Sequence, residues 1–200
     1  MNNVLVITAS IFGQDGQSSQ LVRKTLAQLR NIHGEFQTTY RDLAAEPVPH
    51  LDASRFGAFL ASADDRDGDQ QRVVDYSDSL IEEIENADAI VLGVPMYNFG
   101  IPSVLKAYFD HIARAGLTFR YTENGPVGLL ADRPVYILAA RGGIYAGTPN
   151  DSQTPYLRSF LGFIGLKDLH FVYAEGLNMG DEQKESALQD ASANIETLTA

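Results

Sequence analysis

The 200-residue chain carries 26 acidic and 15 basic side chains, a formal net charge of −11. That balance excludes a nucleic-acid or anionic-membrane surface, both of which need clustered Lys and Arg. Cysteine is absent, so disulfides, thiolate metal sites and a cysteine nucleophile are excluded as well.

The first apolar run, residues 4–8, reads as a strand. It is too short for a signal-peptide core and has no basic stretch ahead of it. No run is apolar for long enough to cross a bilayer, so a cytoplasmic protein forming a single domain over 1–200 is expected, long enough to bury a full core. Helical spacing follows at 20–31, then strand character at 36–41. Residues 46–69, with Pro47, Pro49 and the cluster Asp64-Asp65-Arg66-Asp67, form a long connection. Such connections are lids, partner contacts or disordered segments. Further along come a helix at 70–85, a strand at 89–94 and a helix at 103–115. An excursion at 118–129 alternates around Asn124-Gly125 and predicts a hairpin. Strands at 135–140 and 171–174 and helices at 155–162 and 182–197 complete the pattern. Alternating strands and helices predict an α/β fold, a five-stranded parallel sheet of flavodoxin-like order 2-1-3-4-5 with helices on both faces.

In open sheets of this kind ligands bind beyond the carboxyl ends of the strands. The first strand runs into a loop with Ser10, Gly13, Gly16, Gln17, Ser18 and Ser19 before a helix. Neither Gly-Lys-Ser/Thr nor Gly-x-Gly-x-x-Gly occurs there. Exposed N–H groups and the positive end of a helix dipole make the loop an anion site, to which the hydroxyls of Ser10, Ser18 and Ser19 add donors. The loop holds no cation, and a neutral cradle suits the terminal phosphate of a mononucleotide. The alternative is that Ser18 or Ser19 simply caps the helix. The third strand ends in Pro95, Met96, Tyr97, Asn98 and Phe99, which suit the edge and face of a planar heterocycle or pack as an ordinary turn. The fourth ends in Ala140, Arg141, Gly142 and Gly143. Paired glycines there allow close backbone approach to a ligand, or form a plain tight turn. The scattered His33, His50, His111 and His170 show no ligand spacing, so no metal is expected.

Ser10 with Gln17-Ser18, the run 95–99, the segment 114–126 and Arg141-Gly142-Gly143 together resemble the bacterial FMN-dependent NADH-azoreductases, within the flavodoxin-like NAD(P)H:quinone oxidoreductases. The resemblance runs nearly end to end. It implies a homodimer with one FMN per subunit at the interface, NADH or NADPH as co-substrate, and quinones and aromatic azo compounds as acceptors, reduced by a ping-pong mechanism. Carried over, Ser10, Gly16, Gln17 and Ser18 would hold the phosphate and ribityl end. Pro95, Met96, Tyr97, Asn98 and Phe99 would meet the ring, with Ala140, Arg141, Gly142 and Gly143 along its other edge. Tyr121 and Phe163 would wall the substrate pocket, with Tyr145 a further candidate, and no acid–base residue is assigned. Departures fall at Ala140 and Gly16, where the family favours serine, and at Asp15, an added negative charge; all three bear on FMN affinity. A flavodoxin-type electron carrier is the alternative, its acidic surface then docking basic partners. Phe56, Phe59 and Tyr156 are read as exposed aromatics that support the dimer.

Overall fold

In a computed structural model, which describes residues 1–197, the chain runs β1 (Asn3–Thr8), α1 (Gln17–His33), β2 (Gln37–Asp42), α2 (Ala53–Leu60), α3 (Gly68–Glu85), β3 (Ala89–Pro95), α4 (Ser103–Ile112), β4 (Phe119–Thr122), β5 (Gly125–Gly128), β6 (Val135–Ala140), α5 (Gln153–Ile164), β7 (Leu169–Ala174) and α6 (Asp181–Thr197). Five strands form one sheet in the order β2-β1-β3-β6-β7, and every pairing in it is parallel. This is the expected 2-1-3-4-5 order once the hairpin β4–β5, a separate antiparallel pair, is set aside.

Side-chain alternation divides the core. Val4 and Val6 of β1 and Val91 of β3 pack with Leu21, Val22, Leu26 and Leu29 of α1 and with Ala191 and Ile195 of α6. Leu5, Ile7 and Leu92 face the other way, toward residues of α3, α4 and α5. Burial on both faces explains why the central strands read as continuous apolar runs. The edge strand β2, Gln-Thr-Thr-Tyr-Arg-Asp, is largely exposed and polar, which blunts further pairing along that edge.

The segment 46–69 differs from expectation, because its aspartates have separate local roles. Asp52 caps α2, accepting from the Arg55 N–H at 2.8 Å. Asp67 caps α3 in a reciprocal arrangement with Gln70. Phe59 of α2 lies under the buried Arg114 guanidinium, 4.3 Å from the ring centroid, and edge-on to His111. A capped helix pinned to the body replaces the expected lid or disordered loop. Helix α4 also stops three residues before the predicted 115, because the Thr118 hydroxyl donates to the Ile112 carbonyl at 2.7 Å and accepts from the Arg114 N–H at 2.9 Å.

Candidate functional site

Helix α1 begins without a side-chain cap. Gly16 occupies the capping position and offers no hydroxyl, while Ser19 Oγ donates to the Gly13 carbonyl at 2.7 Å. The capping alternative for Ser18 and Ser19 is therefore set aside, and so is Ser19 as a ligand donor. Among the described residues, the first-turn N–H groups of Gln17, Ser18 and Ser19 meet no protein acceptor. Beside them, Ser18 Oγ and Gln17 Oε1 are buried without a hydrogen-bond partner. Buried polar atoms are almost always paired, so two orphans at an open helix N-terminus mark a place built for a polar, anionic group. Arg23 stays out of it, its guanidinium bonded to the Gln14 carbonyl at 2.7 Å.

Both orphans line a cavity of about 210 Å³ together with Ser10, Tyr97, Ala140 and Gly142. Gly16 closes the loop behind it, because a Cβ there would stand 2.7 Å from Ser10 Cβ. Tyr97 ties two strand-end loops together, its hydroxyl accepting from the Ile11 N–H at 3.2 Å. Tyr97 and Gly100 then exchange backbone hydrogen bonds of 3.0 and 2.9 Å across a tight turn, whose central residues Asn98 and Phe99 have φ of 49° and 64°. A left-handed phenylalanine is rare and strained. The N-terminus of α5 restrains it, since Ser152 donates to the Phe99 carbonyl and Gln153 Nε2 to the Pro95 carbonyl. Phe99 meets Tyr145 edge-on, centroids 5.5 Å apart. These two rings, with Met96, Asn98 and Gly143, line a second hollow of about 410 Å³ that shares Met96, Gly142 and Asn178 with the first.

Around these hollows the N–H groups of Asn98, Phe99, Gly142 and Gly143 have no protein acceptor among the described residues. The arrangement can hold an elongated ligand with an anionic end near α1 and a planar polar head under Phe99 and Tyr145. Larger hollows elsewhere, about 580 Å³ beside α1 and α6 and about 450 Å³ beside the start of β1, gather no orphaned polar atoms. No cluster of three metal-ligating side chains occurs among the described residues.

Arg141 lines the first cavity beside Ala140 and Gly142, and its side chain is fully buried on the inner side of the loop. The guanidinium pairs with Glu175 at 3.0 Å and Asp151 at 3.2 Å and donates to Gln153 at 3.1 Å and Thr154 at 2.8 Å. Although burial opposes it, hydrogen bonds from Thr154 and Arg141 hold the Asp151 carboxyl below the usual carboxylate range. Glu175 Oε1 also accepts the N–H groups of Tyr145 and Ala146, each at 2.9 Å. Arg141 therefore braces the glycine loop from behind.

Tyr121 and Phe163 are not brought to these hollows. Phe163 packs on Phe119 with centroids 4.2 Å apart, and Phe119 meets Tyr121 edge-on. This group sits at the C-terminal end of α5, whose N-terminal end holds the 97–100 turn; twelve helical residues separate the two by about 18 Å. Of the aromatics read as exposed, Phe56 is open to solvent, while Phe59 and Tyr156 are half-buried. Sequence reasoning missed Gln153, Glu175, Leu177 and Asn178, which complete the site. The signal for the last two was Gly176 and Gly180 bracketing a turn directly after the last strand.

Residues 2–198 match the family model described as flavodoxin-like fold. An FMN-dependent NADH:quinone oxidoreductase of Cellvibrio japonicus is 59% identical over 98% of either chain. An azoreductase of Bacillus anthracis str. Sterne superposes with a TM-score of 0.90 at 28% identity, covering 100% of this chain and 99% of its own. An FMN-dependent NADH-azoreductase from Bacillus anthracis str. Ames Ancestor, solved in complex with FMN, does so with a TM-score of 0.86 at 27% identity over the full length of both chains.

Proposed function

The chain belongs to the flavodoxin-like fold family and, within it, to the FMN-dependent NADH:quinone oxidoreductases, and we propose on that premise that its paired hollows are the FMN site. The reaction is two-electron transfer from NADH to quinones, and aromatic azo compounds are reduced likewise. The carrier alternative finds no support, because the relatives are named for reduction by NADH. No helix among the described residues is long and apolar enough to cross a membrane. We assign the enzyme to the cytoplasm as a single domain.

The observation that carries the site assignment is the open N-terminus of α1 beside the orphaned Ser18 Oγ and Gln17 Oε1. Those groups fit a terminal phosphate, and Ser10 lies on the same wall. FMN, when bound, supplies a two-electron carrier between NADH and the acceptor. The protein's share is placement and electrostatics. Main-chain N–H groups of Asn98, Phe99, Gly142 and Gly143, without protein acceptors among the described residues, belong to residues lining the second hollow and would favour negative charge on a ring held there. Phe99 and Tyr145 shape its mouth, and Tyr145 places a phenol beside Gly143. Ala140 adds no hydroxyl, so its contribution is backbone alone.

We propose a homodimer, a reading supported by what one chain leaves unfinished. Tyr121 is 74% exposed, and Leu117, Val127 and Leu129 accompany it on and around the hairpin. Phe12, Phe99 and Ile144 are exposed at the rim of the hollows. Exposed apolar groups of this size mark an interaction surface. A second copy can bring Tyr121 and Phe163 over the site that their own chain keeps them from.

Anaerobic titration of FMN-loaded protein tests the function. NADH alone should bleach the flavin absorbance and a benzoquinone should restore it; a flavin that NADH leaves oxidised would return the carrier reading. Ser18→Ala separates binding from folding. Removing a buried, unpartnered hydroxyl should leave the apoprotein as stable as before, or steadier by about 1 kcal/mol. FMN affinity should fall about tenfold. Urea unfolding of the apoprotein and flavin-fluorescence titration read the two effects, and a less stable apoprotein with unchanged affinity would refute the phosphate assignment.

A further inference from the structure

The turn after β7 lies back along the loop after β6. The N–H groups of Leu177, Asn178 and Gly176 donate to the carbonyls of Arg141, Gly142 and Gly143 at 3.1, 3.0 and 2.9 Å. Three consecutive backbone bonds fix the register of 176–178 against 141–143, so the Asn178 side chain cannot slide along the loop. Its carboxamide occupies the space that a side chain at 142 would need: a Cβ on Gly142 would stand 2.6 Å from Asn178 Nδ2 and 3.2 Å from Cγ. Gly142 is not among the glycines with positive φ. Space, not backbone conformation, is what a side chain here would contend with, and the Asn178 carboxamide would have to move to admit one.

Asn178 is also one of three residues lining both hollows. Asn178 is exposed and its carboxamide bonds no other group among the described residues, while its backbone N–H is held by the Gly142 carbonyl. A primary amide offers two donors and an acceptor, the set that matches the hydroxyls and imide edge of a flavin. The indexed turn places that amide among the residues shared by the anion-binding hollow and the one lined by Phe99 and Tyr145.

We propose that Asn178 is a cofactor-contacting residue, hydrogen-bonding FMN where the ligand passes from the first hollow to the second. The β7–α6 turn is then the fourth wall of the site, and its contact lies on the flavin or ribityl portion, away from the phosphate. The assignment rests on the FMN reading above.

Asn178→Leu keeps the size of the side chain and removes the hydrogen bonds. It should weaken FMN and riboflavin by the same factor, about five- to tenfold, with the melting temperature of the apoprotein unchanged. The pair Gly142→Ala and Asn178→Ala gives an independent check. Gly142→Ala should weaken FMN binding at least tenfold in the native background and much less when Asn178 is already alanine, since the clash is then gone. Native affinity for both flavins in Asn178→Leu would overturn the proposal. So would a loss confined to FMN, which would place the effect at the phosphate. Native protein that binds neither flavin would instead overturn the FMN reading itself.

Discussion

Arg141→Met is expected to destabilise the fold by about 3–5 kcal/mol, the cost of leaving buried charge without its partner. The Glu175 and Asp151 side chains are only 13% and 6% exposed, and among the described residues no other cation bonds either of them. Gln153 and Thr154 lose donors at the same stroke, as does the face of Tyr173, over which the guanidinium lies 4.8 Å from the ring centroid. Arg141→Lys should lose less, because charge survives although the planar fork that serves four partners does not. Arg141→Met/Glu175→Gln should be more stable than Arg141→Met alone, because the second change neutralises the orphaned carboxylate. FMN affinity should fall with the first variant too, since Glu175 anchors the N–H groups of Tyr145 and Ala146 and thereby the glycine loop. Urea unfolding of the variants decides the matter: a loss below about 1 kcal/mol for Arg141→Met would mean that the ion pairs are dispensable and that the loop is held by its backbone bonds alone.

What the sequence revealed of the site follows the range of the interactions involved. The strand ends were legible because a buried parallel strand is a local signal, as in Ala89–Pro95, and because the carboxyl edge of such a sheet is where loops converge. The open helix N-terminus was equally local, lying within Gly16 to Ser19. Side-chain direction was not legible. Arg141 looked like a residue of the cofactor's edge, yet its guanidinium turns inward to Asp151 and Glu175, which belong to the approaches to α5 and α6. Ser19 looked like a ligand donor until the fold of the loop brought the Gly13 carbonyl within reach. The residues 46–69 read as one irregular stretch because an aspartate that caps a helix and one that decorates a loop are the same letter. Asn178 escaped for a related reason: the turn that carries it, residues 176–178, is held by three backbone bonds to a loop that lies before α5 and β7 in the chain.

Gly128→Val is the second substitution expected to act strongly, at a point where two backbones meet. A Cβ on Gly128 would stand 2.5 Å from both Gly165 Cα and the Ile164 carbonyl carbon. Main-chain atoms cannot rotate away as a side chain can, so the whole hairpin must lift. Gly165 offers no relief. It has a φ of 114°, which only glycine adopts readily, and its own Cβ position lies 2.5 Å from the Leu130 carbonyl oxygen. The bond from the Leu130 N–H to the Ile164 carbonyl, 3.1 Å, and the packing of Phe119 on Phe163 would both be strained or lost. A cost of about 3 kcal/mol is expected, at the upper end for overpacking because backbone carries it. The functional consequence distinguishes this site from Arg141. The hairpin and its Tyr121 stand far from the hollows of their own chain, so monomeric protein should still bind FMN, whereas the proposed dimer should fail to form and quinone turnover should fall by at least tenfold. Sedimentation velocity with flavin titration on Gly128→Val, and on the milder Gly128→Ala, reads both. A stable dimer with full turnover in Gly128→Val would mean that the hairpin only covers the end of α5 and takes no part in building a neighbour's pocket.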